Sequence, residues 1–174
     1  SELDDWRDLG QPLALPGQGL PVLRRMDFEG LVEDLKSRIP ADALVVGESF
    51  GGLLALGLDQ PVIAIDPPLT TAKQWSVQLN LRSLAGRLRR PAFDELLANV
   101  FGYMPDGTVQ DRIYYPLLQR KASTHIVTGD RPLFPVGPPD PPPCLIDGVD
   151  RYMIARSAAK PVPELLAQVT GMFG

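Results

Sequence analysis

ALVVGESFGG, residues Ala43 to Gly52, decides how this chain folds. Leu44, Val45 and Val46 form an apolar run suited to a buried strand, and the run stops at Gly47. Ser49 follows two residues later, and GGLLALGL, Gly51 to Leu58, then reads as a short helix. A residue at such a strand-to-helix corner takes a strained backbone conformation, and its neighbours two before and two after come close together. Gly47 and Gly51 are expected to supply the missing bulk, and Gly52 to let the helix approach the sheet. The Ser49 hydroxyl then stands off the C-terminal end of the strand beside the first N–H groups of the helix. Such donors can stabilise an oxyanion, and the N–H of Phe50 would be one of them. The pattern Gly47-Glu48-Ser49-Phe50-Gly51 therefore makes Ser49 the candidate nucleophile. The competing reading is a tight turn carrying an inert serine.

Outward from this corner, apolar strands alternate with helices. Upstream, QPLALPG (Gln11 to Gly17) is a short strand-like run stopped by Pro and Gly. Asp27 is a plausible N-cap, and Phe28, Leu31, Val32, Leu35 and Ile39 recur at helical spacing until Pro40. Downstream, PVIAIDPP (Pro61 to Pro68), HIVTGD (His125 to Asp130) and CLIDGV (Cys144 to Val149) read as further strands. Val162, Leu165, Leu166, Val169 and Phe173 suggest a closing helix. Strands apolar on both faces and separated by helices imply an α/β fold with a mostly parallel, buried sheet and flanking helices. The stretch 69–123 carries no strand signal. Its Leu79, Leu81, Leu84 and Leu88, then Phe93, Leu96, Leu97, Val100 and Phe101, point to a helical insertion that either forms a lid or packs on the sheet. One domain over 1–174 accommodates all of this.

Composition narrows the functions. The chain carries 17 Lys and Arg against 21 Asp and Glu, a net charge of −4. Its basic residues cluster only at RSLAGRLRR, Arg82 to Arg90, which is not the concentrated positive face that nucleic acid requires. No apolar run reaches the ~18 residues of a membrane span, and SELDDW does not resemble a signal peptide, so a cytoplasmic location is expected. A single Cys, Cys144, permits no intrachain disulfide, and with a single His it makes a structural zinc site unattractive. No cofactor is expected. The run PVGPPDPPPC, Pro135 to Cys144, reads as a stiff surface connection rather than a polyproline ligand.

Taken together, these segments resemble the α/β-hydrolase superfamily. LALPGQGLPVL is similar to a segment that there usually reads D-x-P-G-x-G-x-S. DFEGLVEDLKSRIPADALVVGESFGGLLAL resembles the helix, nucleophile strand and elbow that follow, and VIAIDPPL the next strand. THIVTGDRPLFP resembles the strand whose turn usually carries the catalytic acid, and LIDGVDRYMI the segment that usually carries the catalytic histidine. The resemblance implies a serine hydrolase of carboxylic esters or thioesters. Asp130 would then be the acid that orients a base, with Asp66 as another possible acid.

The departures bear on mechanism. Where relatives carry the general base, often as Gly-x-Asp-His, this chain reads Gly148-Val149-Asp150-Arg151. Arg151 cannot accept a proton near neutral pH. It could instead contact an anionic group or pair with Asp150. The usual G-x-x-D-x-x-x-P appears as Gly129-Asp130-Arg131-Pro132-Leu133-Phe134-Pro135, one residue short. His125 begins its strand, roughly 15 Å from the catalytic edge at about 3.3 Å per residue, which disfavours it as the base. The family's buried strand ending in His-Gly, which supplies the second oxyanion donor, has no counterpart. Either residues upstream of this sequence supply it, or the sheet closes without it, in which case LALPG could pair directly with ALVVGES through a right-handed crossover.

Two functions follow. One is an ester or thioester hydrolase with an incomplete catalytic triad. The other is a non-catalytic protein on the same scaffold, binding a small-molecule ligand or partner with Arg151 on a carboxylate or phosphate. Expected partners are thus an ester substrate or small-molecule ligand, with a homo-oligomer left open and neither nucleic acid nor membrane involved. A nucleotide-binding domain fits poorly, because GQG leads into Leu-Pro and no phosphate-loop motif occurs.

Overall fold

The apolar segments around the serine become adjacent parallel strands. The computed structural model describes residues 10–17, 19–65, 67–70, 90–106, 108–128 and 144–145, with the backbone alone at 90–93, 125, 127, 128, 144 and 145. In chain order the elements are β1 (Leu15–Pro16), β2 (Gly19–Leu20), α1 (Phe28–Arg38), β3 (Val45–Glu48), α2 (Phe50–Ala55), β4 (Val62–Ile65), α3 (Arg90–Asn99), a 3-10 turn (Tyr115–Leu118), β5 (Thr124–Thr128) and β6 (Cys144–Leu145). Strands β3, β4, β5 and β6 lie side by side in that order, all parallel. On β4, Val62, Ile63 and Ala64 are completely buried and Ile65 nearly so. A central parallel strand is covered on both faces, which explains why VIAI shows no polar alternation.

Helix α1 starts and stops where its sequence dictates. The Asp27 side chain accepts a hydrogen bond from Gly30 N–H at 2.8 Å, and Ile39 turns extended ahead of Pro40. Glu29 in the first turn and Lys36 and Arg38 in the last match the helix dipole. Its buried Leu31, Val32 and Leu35 join Phe50, Leu53 and Leu54 of α2 and Leu96, Val100 and Phe101 in one apolar cluster. A second cluster gathers Val62, Ala64 and Ile126 from the sheet with Ala55, Leu56, Leu69 and Leu118.

The described residues bear on two points that the sequence leaves open. Among the described residues LALPG does not pair with β3. Leu15 and Pro16 pair instead with Gly19 and Leu20, and Arg38 of α1 holds the Ala14 carbonyl at 3.0 Å. The run is too short, and too soon broken by Pro16 and Gly17, to add a sheet strand. The described part of 69–123 is also not purely helical. Besides α3 it contains two antiparallel bridges, Thr70 with Ile113 and Tyr103 with Val109. These couple positions that show no local alternation. The described insertion packs: Leu96, Val100, Phe101 and Leu118 are buried. The apolar positions at 79–88 and the closing helix lie outside the described residues.

Arg120 ties the connection after α2 to the approach of β5. Its guanidinium donates to the carbonyls of Leu58, of Gln60 at 2.5 Å and, more weakly, of Ala55 at 3.4 Å. Burial lowers its pKa, partly offset by Asp59. Buried Gln60 extends the network by donating to the Pro40 carbonyl at 3.1 Å.

Tyr114 fastens the insertion to the helical layer. Its hydroxyl donates to the Val100 carbonyl at 2.7 Å, and its ring centroid lies 5.3 Å from that of Phe28. Burial pushes its ionisation up to about 12 from an ordinary 10. The neutral form is thus favoured in the folded state, and this stabilisation is complete below about pH 10. It is lost as pH rises from there through the folded value. Denaturant midpoints of the wild type and Tyr114→Phe are expected to keep a constant gap up to about pH 10. Above that pH the gap narrows as the wild type loses stability. A gap unchanged to pH 12 would show that the hydroxyl is not buried in this way.

Candidate functional site

The corner at Ser49 is built by backbone constraint. Ser49 has φ 51° and ψ −117°, and it is the sole non-glycine with positive φ among the described residues. Such a conformation costs about 1–3 kcal/mol and persists only where its surroundings enforce it. The surroundings are the two neighbouring elements. Ser49 N–H donates to the Ile65 carbonyl at the end of β4 at 2.7 Å, and the Ser49 carbonyl accepts from Leu53 N–H at 3.0 Å. Ser49 occupies the N-cap of α2, yet its side chain makes no capping hydrogen bond. The hydroxyl is not used to end the helix.

The glycines divide this task differently from the sequence expectation. A Cβ on Gly47 would come within 2.7 Å of Gly52 N and closer still to the Gly51 carbonyl group. On Gly52 it would come within 2.9 Å of the Gly47 carbonyl oxygen and 3.4 Å of that of Ile65. On Gly51 it would meet nothing described within 4 Å. Among the described residues the tight approach requires Gly47 and Gly52, while Gly51 enters it through its backbone.

Phe50 has a double orientation. Its side chain is buried, with a ring centroid 5.6 Å from that of Phe101 at a tilt of 48°. Its N–H stands at the first helical position, where no intrahelical acceptor exists. The side chain thus anchors the first turn in the core while the backbone donor stays at the corner.

Strand register locates the histidine. His125 pairs with Ile63, which pairs with Val46. Ser49 lies three residues beyond Val46, about 10 Å along the sheet, and two strands away, a further ~10 Å. The two backbones are therefore about 14 Å apart, beyond hydrogen-bond reach of an imidazole and a serine hydroxyl. This agrees with the position expected for His125. Asp66, Asp130 and Arg151 lie outside the described residues. Among those described, no cluster of three or more His, Cys, Asp or Glu side chains suits a metal ion, and no helix is long and apolar enough to cross a membrane.

No protein-family model matches the chain, and no characterised sequence aligns with it significantly. A solved structure does: a putative lipase from Acinetobacter baumannii, with a TM-score of 0.51 at 16% identity. The alignment covers 98% of this chain and 82% of that one. At this identity the likeness is one of fold, consistent with an α/β-hydrolase-like scaffold.

Proposed function

We propose that the protein is an α/β-hydrolase-like serine hydrolase of carboxylic esters or thioesters that works with an incomplete triad. One observation carries this reading: Ser49 is held at φ 51° on a corner between a parallel strand and a helix, with its hydroxyl unused by the helix cap. In this reading Ser49 Oγ attacks the acyl carbon and the carbonyl π bond opens to an oxyanion facing Phe50 N–H. The oxyanion then collapses, and the alcohol or thiol departs with the proton that the serine gave up. Water hydrolyses the acyl-enzyme, returning the serine hydroxyl and releasing the acid. Asp130, with Asp66 as the other acid, would orient whatever accepts the proton. Arg151, at the position where relatives carry histidine, would bind an anionic part of the substrate.

His125 stands too far off to act as base, and arginine does not deprotonate. Turnover should therefore be slow. Oxyanion donors and binding alone sustain roughly 10³–10⁴-fold acceleration over water. The same observation favours a second reading, a non-catalytic ligand-binding protein on this scaffold. A fluorophosphonate probe separates the two. Covalent labelling that disappears in Ser49→Ala, with slow nitrophenyl ester turnover, is the outcome expected of the hydrolase. An unlabelled wild type with no turnover above buffer would leave the binding reading.

A further inference from the structure

Of the three glycines at the corner, Gly51 is the one whose missing side chain no described residue requires. A Cβ on Gly47 or Gly52 would collide with backbone, whereas one on Gly51 would meet nothing described within 4 Å. No conformational reason remains either: Gly51 lies within α2 and is not among the glycines with positive φ. Glycine inside a helix is also disfavoured relative to alanine by backbone entropy. Among the described residues nothing requires this position of a six-residue helix to be small, and the space beside its Cα holds no described atom.

We infer that Gly51 is a specificity-determining residue: its bare Cα keeps clear the approach to Ser49, so that the substrate group flanking the reacting carbonyl passes over the first turn of α2. This rests on Ser49 being the nucleophile. Phe50, the intervening residue, turns its side chain into the core against Phe101 and so adds no bulk on this side. Of the two residues after the serine, one buries its ring and the other has no side chain. The clearance should admit acyl or leaving groups that are branched or broad next to the reacting centre.

The test uses Gly51→Ala and Gly51→Val in the full chain, with two readouts expected to move in opposite directions. Thermal unfolding midpoints should hold or rise, by about 1–3 °C for alanine, because a helical glycine has been replaced without a clash. Fluorophosphonate labelling should slow severalfold for alanine and at least tenfold for valine, and more steeply with a branched phosphonate substituent than with a linear one. A lowered midpoint for Gly51→Ala would overturn the inference, because the glycine would then be serving packing. Labelling of Gly51→Val at the wild-type rate would overturn it as well, while leaving the nucleophile in place. A wild type that never labels would instead remove the nucleophile itself, and the inference would fall with it.

Discussion

Gly47→Ala is expected to destabilise the protein by on the order of 3 kcal/mol and to abolish labelling of Ser49. The added methyl would come within 2.7 Å of Gly52 N and nearer still to the Gly51 carbonyl group. Both are backbone, so no side chain can swing aside. Relief requires α2 to move away from β3, which breaks the contacts that hold Ser49 in its strained conformation. Overpacking of this kind costs about 1–3 kcal/mol or more even where side chains can adjust, and the whole native state is worth only about 5–15 kcal/mol. Urea midpoints at neutral pH measure the loss. An alanine variant with the wild-type midpoint and wild-type labelling would mean that the corner is not as tight as described.

The second large effect concerns the opposite end of α2. Arg120→Met should cost about 2 kcal/mol, because the carbonyls of the buried residues Leu58 and Gln60 lose their charged donor. The figure is kept low because the guanidinium is only half-buried, and removing its charge returns part of the desolvation cost. Arg120→Lys should recover less than half. An ammonium is a point donor and cannot span carbonyls that the planar fork reaches together. Equal midpoints for the lysine variant and the wild type would show that charge, rather than the fork, holds this connection.

Much of the region around the serine was legible because its rules are local. VIAIDPP reads as a buried strand from composition alone, and its VIAI lies between β3 and β5 in the sheet. Asp27 with Pro40 brackets α1 to within two residues. GESFGG forces a corner wherever a strand precedes it and a helix follows. The failures are the non-local features. LALPG looks like a sheet strand, but Pro16 and Gly17 close it into a two-residue pair with Gly19 and Leu20. The Thr70–Ile113 bridge joins residues far apart in sequence, and nothing in either neighbourhood announces the partner. Arg120 carries no local signal of its role, because its carbonyl acceptors lie 60 to 65 residues upstream. Gly51 was credited with a steric role by symmetry with Gly47. The symmetry fails because the methyl positions of the two residues point to different surroundings, which spacing along the chain does not encode.

The hydrogen bond from Ser49 to the Ile65 carbonyl has a further consequence, for how the molecule is made. Every described backbone contact that bends the serine lies within residues 45–65, so the loop that these contacts close is short and its entropic cost modest. The described strands of the sheet also lie side by side in their order of synthesis, β3 to β6. A nascent chain can therefore set this corner soon after Ile65 emerges, with β5 and β6 left to dock onto β4 in turn. Assembly of this vectorial kind keeps the most strained residue of the described chain among the first to be locked.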